Sequence, residues 1–277
     1  MKKIAFQGTR GAYSEQALNN YFGTQVESIG FDLSEQVCES LANKQIDAAI
    51  LPVENSIIGN IDINIDLIYK HKLYAISEYY LKINHCLLTR SSVEINDVEF
   101  IHSHPAAISQ CRDFINKHNI QSIPDFDTAG ACLRLIKKES TNHGVIASEL
   151  CSKYYDLKVI KKDIQKVDNN FTRFLVVVHQ DNIPTNIEEE KTSLAFTTKN
   201  SPGALLRCLQ KFSTHNINLT KIESQPIPEN PFIYTFFIDC ETPFHHQNMK
   251  TCIEELEQDA QLIPVMGSYP IDKLTFD

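Results

Sequence analysis

The sequence predicts an α/β chain that ends in a βαββαβ module. Three observations carry this reading. Over residues 1–180 the apolar positions switch repeatedly between the two-residue period of strands and the three-to-four-residue period of helices. At Gln180 to Lys191 the composition breaks, as Asp181-Asn182-Ile183-Pro184-Thr185-Asn186 leads into Glu188-Glu189-Glu190, the mark of an interdomain linker. Beyond it, strands and helices recur in a short symmetrical order.

Lys3 to Phe6 reads as a strand and Tyr13 to Phe22, after Gly11, as a helix. Val26 to Phe31 is a strand, Leu33 to Asn43 a helix and Ala48 to Val53 a buried strand. Ile61, Ile65 and Ile68 recur at helical spacing, which predicts an amphipathic helix over Ile61 to Tyr69. Leu81, Ile83, His85 and Leu87 alternate with Lys82, Asn84 and Cys86, the period of a strand. Further β-then-α units follow: Glu99 to Ser103 into Pro105 to Lys117, Gln121 to Ile123 into Ala129 to Lys138, and Val145 to Ala147 into Glu149 to Tyr155. The continuous apolar strand Phe174 to Val178 closes the series, and the alternation argues for largely parallel sheets. After the linker come a strand at Ser193 to Thr197, a helix at Gly203 to His215, strands at Thr220 to Ser224 and Phe232 to Asp239, a helix at Gln247 to Glu257 and a strand at Ala260 to Pro264. That order is the ferredoxin-like motif, whose open sheet edges favour pairing of copies.

The 277 residues carry 35 acidic against 26 basic side chains, a formal charge of −9. Nucleic acid and anionic membranes both call for a basic surface, so neither is an expected partner. Residues 1–180 sum to −2 and residues 181–277 to −7, so the first part need not repel a small dianion. No apolar run approaches the roughly 18 to 20 residues of a membrane span. Met1 to Gly8 lacks a signal peptide's apolar core, and the expected location is the cytoplasm. The eight cysteines form no CxxC and sit mostly among apolar neighbours, which suits a reducing compartment and argues against structural zinc. His102 and His104 form an HxH pair without a further ligand at motif spacing; one imidazole hydrogen-bonded at a strand end explains it.

Five polar, turn-rich segments fall at predicted strand ends, where ligands of open α/β sheets bind. Gln7-Gly8-Thr9-Arg10-Gly11-Ala12-Tyr13-Ser14 opens a helix whose free amides attract anions, or is a plain helix entry. In Pro52-Val53-Glu54-Asn55-Ser56, three consecutive hydrogen-bonding side chains exceed what a helix cap needs. Ser103-His104-Pro105 with Gln110, and Asp127-Thr128-Ala129-Gly130-Ala131, join polar caps to helix starts; helix–sheet packing also explains the small residues. In Asn169-Asn170-Phe171-Thr172-Arg173-Phe174, an arginine beside an apolar strand calls for an anionic partner.

Taken together and in order, Gly8-x-x-Gly11-Ala12-Tyr13-Ser14, Pro52-Val53-Glu54-Asn55-Ser56-x-x-Gly59, Ser103-His104-Pro105 with Gln110-Cys111, Asp127 to Ala131 and Asn170-Phe171-Thr172-Arg173-Phe174 resemble the prephenate dehydratase family. Gly203-Ala204-Leu205 and Ile222-Glu223-Ser224-Gln225-Pro226 resemble the two signature segments of the ACT domain that follows in that family. The resemblance spans nearly the whole chain and looks like the monofunctional form, with no chorismate mutase domain before Lys2.

The resemblance implies a catalytic domain over residues 1–180, built as two α/β lobes like a type 2 periplasmic binding protein. The chain is expected to cross between lobes near Tyr79 to Lys82 and near Leu157 to Ile164. Residues 181–191 are the linker and 192–277 the ACT regulatory domain. The implied reaction is decarboxylative dehydration of prephenate to phenylpyruvate, driven by aromatisation, so no redox cofactor or metal is needed. By similarity Thr172 serves the leaving hydroxyl as a positioned donor, while Asn55, Ser56, Ser103, Gln110, Thr128 and Asn170 line the substrate cleft. Arg173 engages a substrate carboxylate or pairs with Glu54. Phenylalanine is the implied allosteric effector, bound near Gly203, Ala204, Leu205, Glu223 and Ser224, and a homodimer or homotetramer the implied assembly. Two positions depart from the family pattern: Ala106 stands where a glutamine is usual, and Gln225 replaces an arginine beside the effector site. Arogenate dehydration, or a non-catalytic two-lobed sensor of amino or aromatic acids, are the alternatives.

Overall fold

The computed structural model describes residues 1–138, 142–227, 230–262 and 265–273. The elements run β1 (Lys3–Gln7), α1 (Tyr13–Phe22), β2 (Glu27–Phe31), α2 (Ser34–Ala42), β3 (Ala48–Asn55), β4 (Gly59–Asn60), α3 (Asp62–Lys70), β5 (Leu73–Lys82) and β6 (Cys86–Thr89). They continue with β7 (Phe100–Ser103), α4 (Pro105–Gln110), α5 (Arg112–Lys117), β8 (Gln121–Pro124), α6 (Thr128–Ile136), β9 (His143–Ala147), α7 (Leu150–Tyr155), β10 (Lys158–Lys161) and β11 (Phe171–His179). The last stretch holds β12 (Lys191–Thr198), α8 (Ala204–Thr214), β13 (Leu219–Ile227), β14 (Asn230–Cys240), α9 (Gln247–Leu256), β15 (Ala260–Leu262) and β16 (Gly267–Tyr269). Two compact units result: Met1–Asn64 with Tyr79–Phe174, and Ile65–Glu78 with Leu175–Lys273.

The first unit contains two sheets. In one, β1 pairs in parallel with β2 and β3, and β11 follows beyond β3. The other runs β10-β6-β9-β7-β8, parallel about β7 and antiparallel about β6. The chain leaves the first sheet after Lys82 and returns at Phe171, with β10 occupying half of the expected second crossing. Strand β6 is buried along its whole length. Cys86 and Leu88 face a cluster with Ala129, Cys132, Leu135 and Cys151, while Leu87 faces one with Ile101, Ile115 and Ile146. Both faces are covered, so the strand shows no polar alternation.

In the second unit β12 pairs antiparallel with β14, β15 and β16, and β14 with β13. With α8 and α9 between the strands, this is the predicted βαββαβ order, closed around Leu194, Phe196, Phe212, Ile238 and Leu256. The acidic stretch before β12 is fastened: Glu190 N–H donates to Tyr269 O at 3.0 Å and Glu189 meets His245 at 2.9 Å.

Three expectations change. The single strand over Leu81 to Leu87 is two, because the amides of Ile83 and His85 turn to Asn170 O at 2.7 Å and Gln165 Oε1 at 2.8 Å instead of a strand partner. The helix over Pro105 to Lys117 breaks at Cys111 (φ −104°, ψ 14°), because the Gln110 carbonyl accepts from Lys166 N–H at 2.9 Å. Strands β4, β5, β10 and β16 are additional. The last predicted strand is β15, and Ile263 and Pro264 lie outside the described residues. No helix among the described residues is long and apolar enough to cross a membrane.

Candidate active site

A cavity of about 430 Å³ opens in the first unit where the carboxyl ends of β1 and β3 and the start of β11 meet the amino ends of α1, α4 and α6. The first turn of a helix carries unpaired N–H groups and a partial positive charge. At α4 the His104 ring accepts from Ala106 N–H, and at α6 Asp127 accepts from Gly130 N–H. At α1 the cap is Ala12, which has no side chain to offer, so its first-turn amides stay available beside Tyr13 and Ser14 on the lining. Among the described residues the lining holds no lysine or arginine, and Asp127 is its acidic side chain.

Asn55 sets the polarity of the site. Its Oδ1 accepts from the backbone N–H groups of Ile57 and Ile58, each at 3.0 Å, which fixes which end of the amide is oxygen. Its Nδ2 therefore donates, to Asn170 Oδ1 at 2.8 Å, Thr172 Oγ1 at 3.0 Å and Phe171 O at 3.1 Å. Asn170 passes the polarity on through Nδ2, which donates to Gln110 Oε1 at 3.1 Å. Since Thr172 Oγ1 accepts, its own hydrogen is left to point at the cavity that it lines.

Of the sequence-predicted residues, Thr172, Asn55, Gln110 and Thr128 share the lining. Ser56, Ser103, Asn170 and Arg173 are off it. Ser56 Oγ accepts from Phe171 N–H at 2.9 Å and donates to Asn169 O at 3.1 Å, pinning β3 to β11. Ser103, fully buried, donates to Ile146 O at 2.6 Å across the second sheet. Arg173, 4% exposed, lies 3.7 Å from Glu54, one of the two partners open to it in the sequence. The fifth segment enters its strand at the amino end and meets the end of β3 there. Ala106 itself lines the cavity.

His85 was missed. It is 3% exposed and lines the cavity between the Tyr13 hydroxyl, 2.8 Å from Nδ1, and Gln110 Oε1, 2.7 Å from Nε2. Burial lowers its pKa against the Gln110 bond and lifts that of Tyr13 well above the usual phenol value. Its signal was visible: a histidine in the apolar phase of an alternating run. His102, from the HxH pair, bonds His143 at 2.8 Å.

In the second unit a cavity of about 350 Å³ is lined by Gly203, Ala204 and Leu205 with Lys199, Tyr234 and Phe236. Gly203 caps α8 at φ +76° and offers no side chain to its amides. Glu223 and Ser224 lie on β13 away from this lining, Glu223 held by Lys221 at 3.2 Å and by Gln225 at 2.7 Å.

Two α/β sheets about a cavity lined by uncharged hydrogen-bonding side chains and one carboxylate are the fold and site of a small-molecule enzyme. The prephenate dehydratase profile matches residues 4–182. The chain belongs to the prephenate dehydratase family, which converts prephenate to phenylpyruvate on the route to phenylalanine. It is 35% identical over 279 residues to arogenate dehydratase/prephenate dehydratase 2, chloroplastic, of Arabidopsis thaliana, covering 98% of this chain and 73% of that one. Prephenate dehydratase of Arthrobacter aurescens, solved in complex with L-Phe, superimposes with a TM-score of 0.87 at 26% identity over 96% of this chain and 89% of that one. GqqA, solved as a novel type of quorum quenching acylase, gives a TM-score of 0.89 at 26% identity over 98% of each chain.

Proposed function

We propose that the cavity of the first unit is where prephenate loses carbon dioxide and its ring hydroxyl. The net reaction takes up one proton, so that the hydroxyl leaves as water. The observation that carries the reading is the hydrogen-bond direction at Thr172: Asn55 donates to its oxygen, so its hydrogen is free to serve the leaving hydroxyl. A threonine is a weak acid, so it acts as a positioned donor or relay. One substrate carboxylate sits on the uncapped amides of α1, and Asn55, Gln110 and Thr128 supply neutral donors that avoid the cost of further buried charge. Ser56, Ser103, Asn170 and Arg173 hold the frame around them.

Residues 1–180 are read as the catalytic domain, 181–191 as the linker and 192–277 as an ACT regulatory domain. L-phenylalanine, present in the Arthrobacter structure, is the proposed effector. The uncapped start of α8 at Gly203, Ala204 and Leu205 would take its carboxylate. A homodimer or homotetramer is proposed, supported by the edge strand β13 with Ile222 48% exposed. Glu223 and Ser224 would join the effector site from such a pairing. The eight free cysteines, all buried, suit the reducing cytoplasm.

The purified protein, mixed with prephenate, should yield phenylpyruvate, read by its absorbance in alkali. No product from prephenate overturns the reading; arogenate and an acyl amide are the comparison substrates. Thr172→Ala should lower kcat by about 100-fold or more while remaining folded. Phenylalanine should slow the full chain and have no effect once residues 191–277 are removed.

A further inference from the structure

We propose that His85 is a positioning residue that holds the Gln110 amide with its two N–H groups toward the substrate; this rests on the reading of the cavity as the prephenate site. His85 enters from the break between β5 and β6, where its backbone N–H donates to Gln165 Oε1 at 2.8 Å. The state of its ring follows from the backbone outward. The amides of Ile57 and Ile58 make Asn55 Oδ1 an acceptor, Asn55 Nδ2 donates to Asn170 Oδ1, and Asn170 Nδ2 donates to Gln110 Oε1. Gln110 therefore presents oxygen at the 2.7 Å contact with His85, and Nε2 of the imidazole has to carry the hydrogen. In the neutral ring Nδ1 is then an acceptor facing the Tyr13 hydroxyl at 2.8 Å, whose single hydrogen is shared between Nδ1 and the Asn84 backbone oxygen at 3.0 Å. Tyr13 also packs edge-on against the ring, with 5.5 Å between centroids and 78° between planes.

The consequence falls on Gln110. A carbonyl oxygen has two lone pairs, and two buried donors, His85 Nε2 and Asn170 Nδ2, occupy them. Turning the amide over would set its N–H groups against both donors, so one orientation is imposed. Gln110 lines the cavity, and its Nε2 thereby offers a paired donor suited to a carboxylate. His85 acts through Gln110, not on the reacting atoms.

Kinetics on prephenate should separate this role from packing. His85→Asn removes the donor at the Nε2 position and should raise KM about 10-fold, one tenfold step in affinity, with kcat within about threefold. His85→Gln, whose longer amide reaches the same oxygen, should restore KM to within about threefold of wild type. In a Gln110→Ala background His85→Asn should raise KM no further, since the group it positions is gone. Additive KM effects in that double variant, an unchanged KM in a folded His85→Asn, or a loss confined to kcat would overturn the proposal. Nitrogen NMR of the His85 ring in the free enzyme reads the tautomer without turnover; an Nδ1–H form would also overturn it. Failure of the wild type to make phenylpyruvate would instead sink the reading of the cavity while leaving the tautomer result to stand.

Discussion

Replacing Asn55 by aspartate tests the polarity of the site almost without changing its shape. Asn55 is 5% exposed, takes two backbone N–H groups on Oδ1 and gives its Nδ2 hydrogens to Asn170, Thr172 and Phe171. In Asn55→Asp the accepting oxygen keeps its partners, but the other oxygen faces three acceptors. The Asn170 and Phe171 oxygens have no hydrogen to offer. Thr172 has one, and its hydroxyl turns to donate to the new carboxylate. On the proposed role of Thr172 the hydrogen that would serve the leaving hydroxyl is withdrawn, so kcat should fall by about 100-fold, approaching Thr172→Ala. Asn170 Oδ1 loses its donor while Phe171 O keeps the Ser56 N–H at 2.8 Å, so at about 1–3 kcal/mol for the group left unsatisfied the fold should lose about 1–3 kcal/mol. Burial raises the pKa of the new carboxyl, and its protonated form regains one donor; the kcat defect should therefore shrink as the pH is lowered from about 8 to about 6. Phenylpyruvate absorbance gives kcat and urea unfolding gives stability. A folded Asn55→Asp with kcat within about threefold of wild type would refute the reasoning, as would a further kcat loss on adding it to Thr172→Ala.

Gly11→Ala should destabilise by about 2–5 kcal/mol in urea unfolding, summing backbone strain and overpacking. Gly11 has φ +88°, and a Cβ there would lie 2.6 Å from Cys151 Sγ and 3.2 Å from its Cα. Adding Cys151→Ala should recover part of the loss; a single variant within about 0.5 kcal/mol of wild type contradicts the close approach. Lys191→Met should cost about 3–5 kcal/mol, because it takes the cation from Glu78, whose fully buried carboxylate accepts from Lys191 Nζ at 2.7 and 2.9 Å and from Asp272 N–H at 3.3 Å. Glu78→Gln in the same chain should restore most of it, and no restoration would show that the charge is not the cause. Burial lowers the pKa values of His85, His102 and His143. The unfolded chain then binds more protons below its imidazole pKa of about 6.5, so stability is full above that pH and falls as the pH drops through it; a Tm flat between about pH 7.5 and 5.5 would contradict this. All eight thiols are buried, and a thiol reagent should titrate them only as the protein unfolds, whereas prompt reaction of the native protein would be at odds with their packing.

Much of this fold is legible in short-range pattern. Tyr13–Phe22 and the strands on either side of it follow from periodicity and a glycine turn, and the βαββαβ order from its spacing. What failed did so where distant segments compete for backbone groups. Nothing within Leu81 to Leu87 reveals that Asn170 and Gln165, 80 or more residues from the amides they bind, draw off two of them. Nor does Gln110 announce that its carbonyl belongs to Lys166. Strand β5 carries Glu78 among its apolar residues, and that charge becomes intelligible only beside Lys191. At the site, residue types told which segments matter but not which side chains face the cavity. Ser56 reads as a ligand because it is polar, and the frame uses that polarity elsewhere, while Arg173 lies beside Glu54, one of its two expected partners.

A cavity without lysine or arginine has a bearing on release as much as on capture. On the proposed reading of the cavity, prephenate arrives with two carboxylates and phenylpyruvate departs with one, so the reaction itself erases half of the charge that amides and hydroxyls would face. A fixed cation would go on holding the remaining anion, whereas neutral dipoles exposed by the loss of carbon dioxide can be taken up by entering water. Such a pocket lets go of its product because the chemistry has removed the reason for holding it.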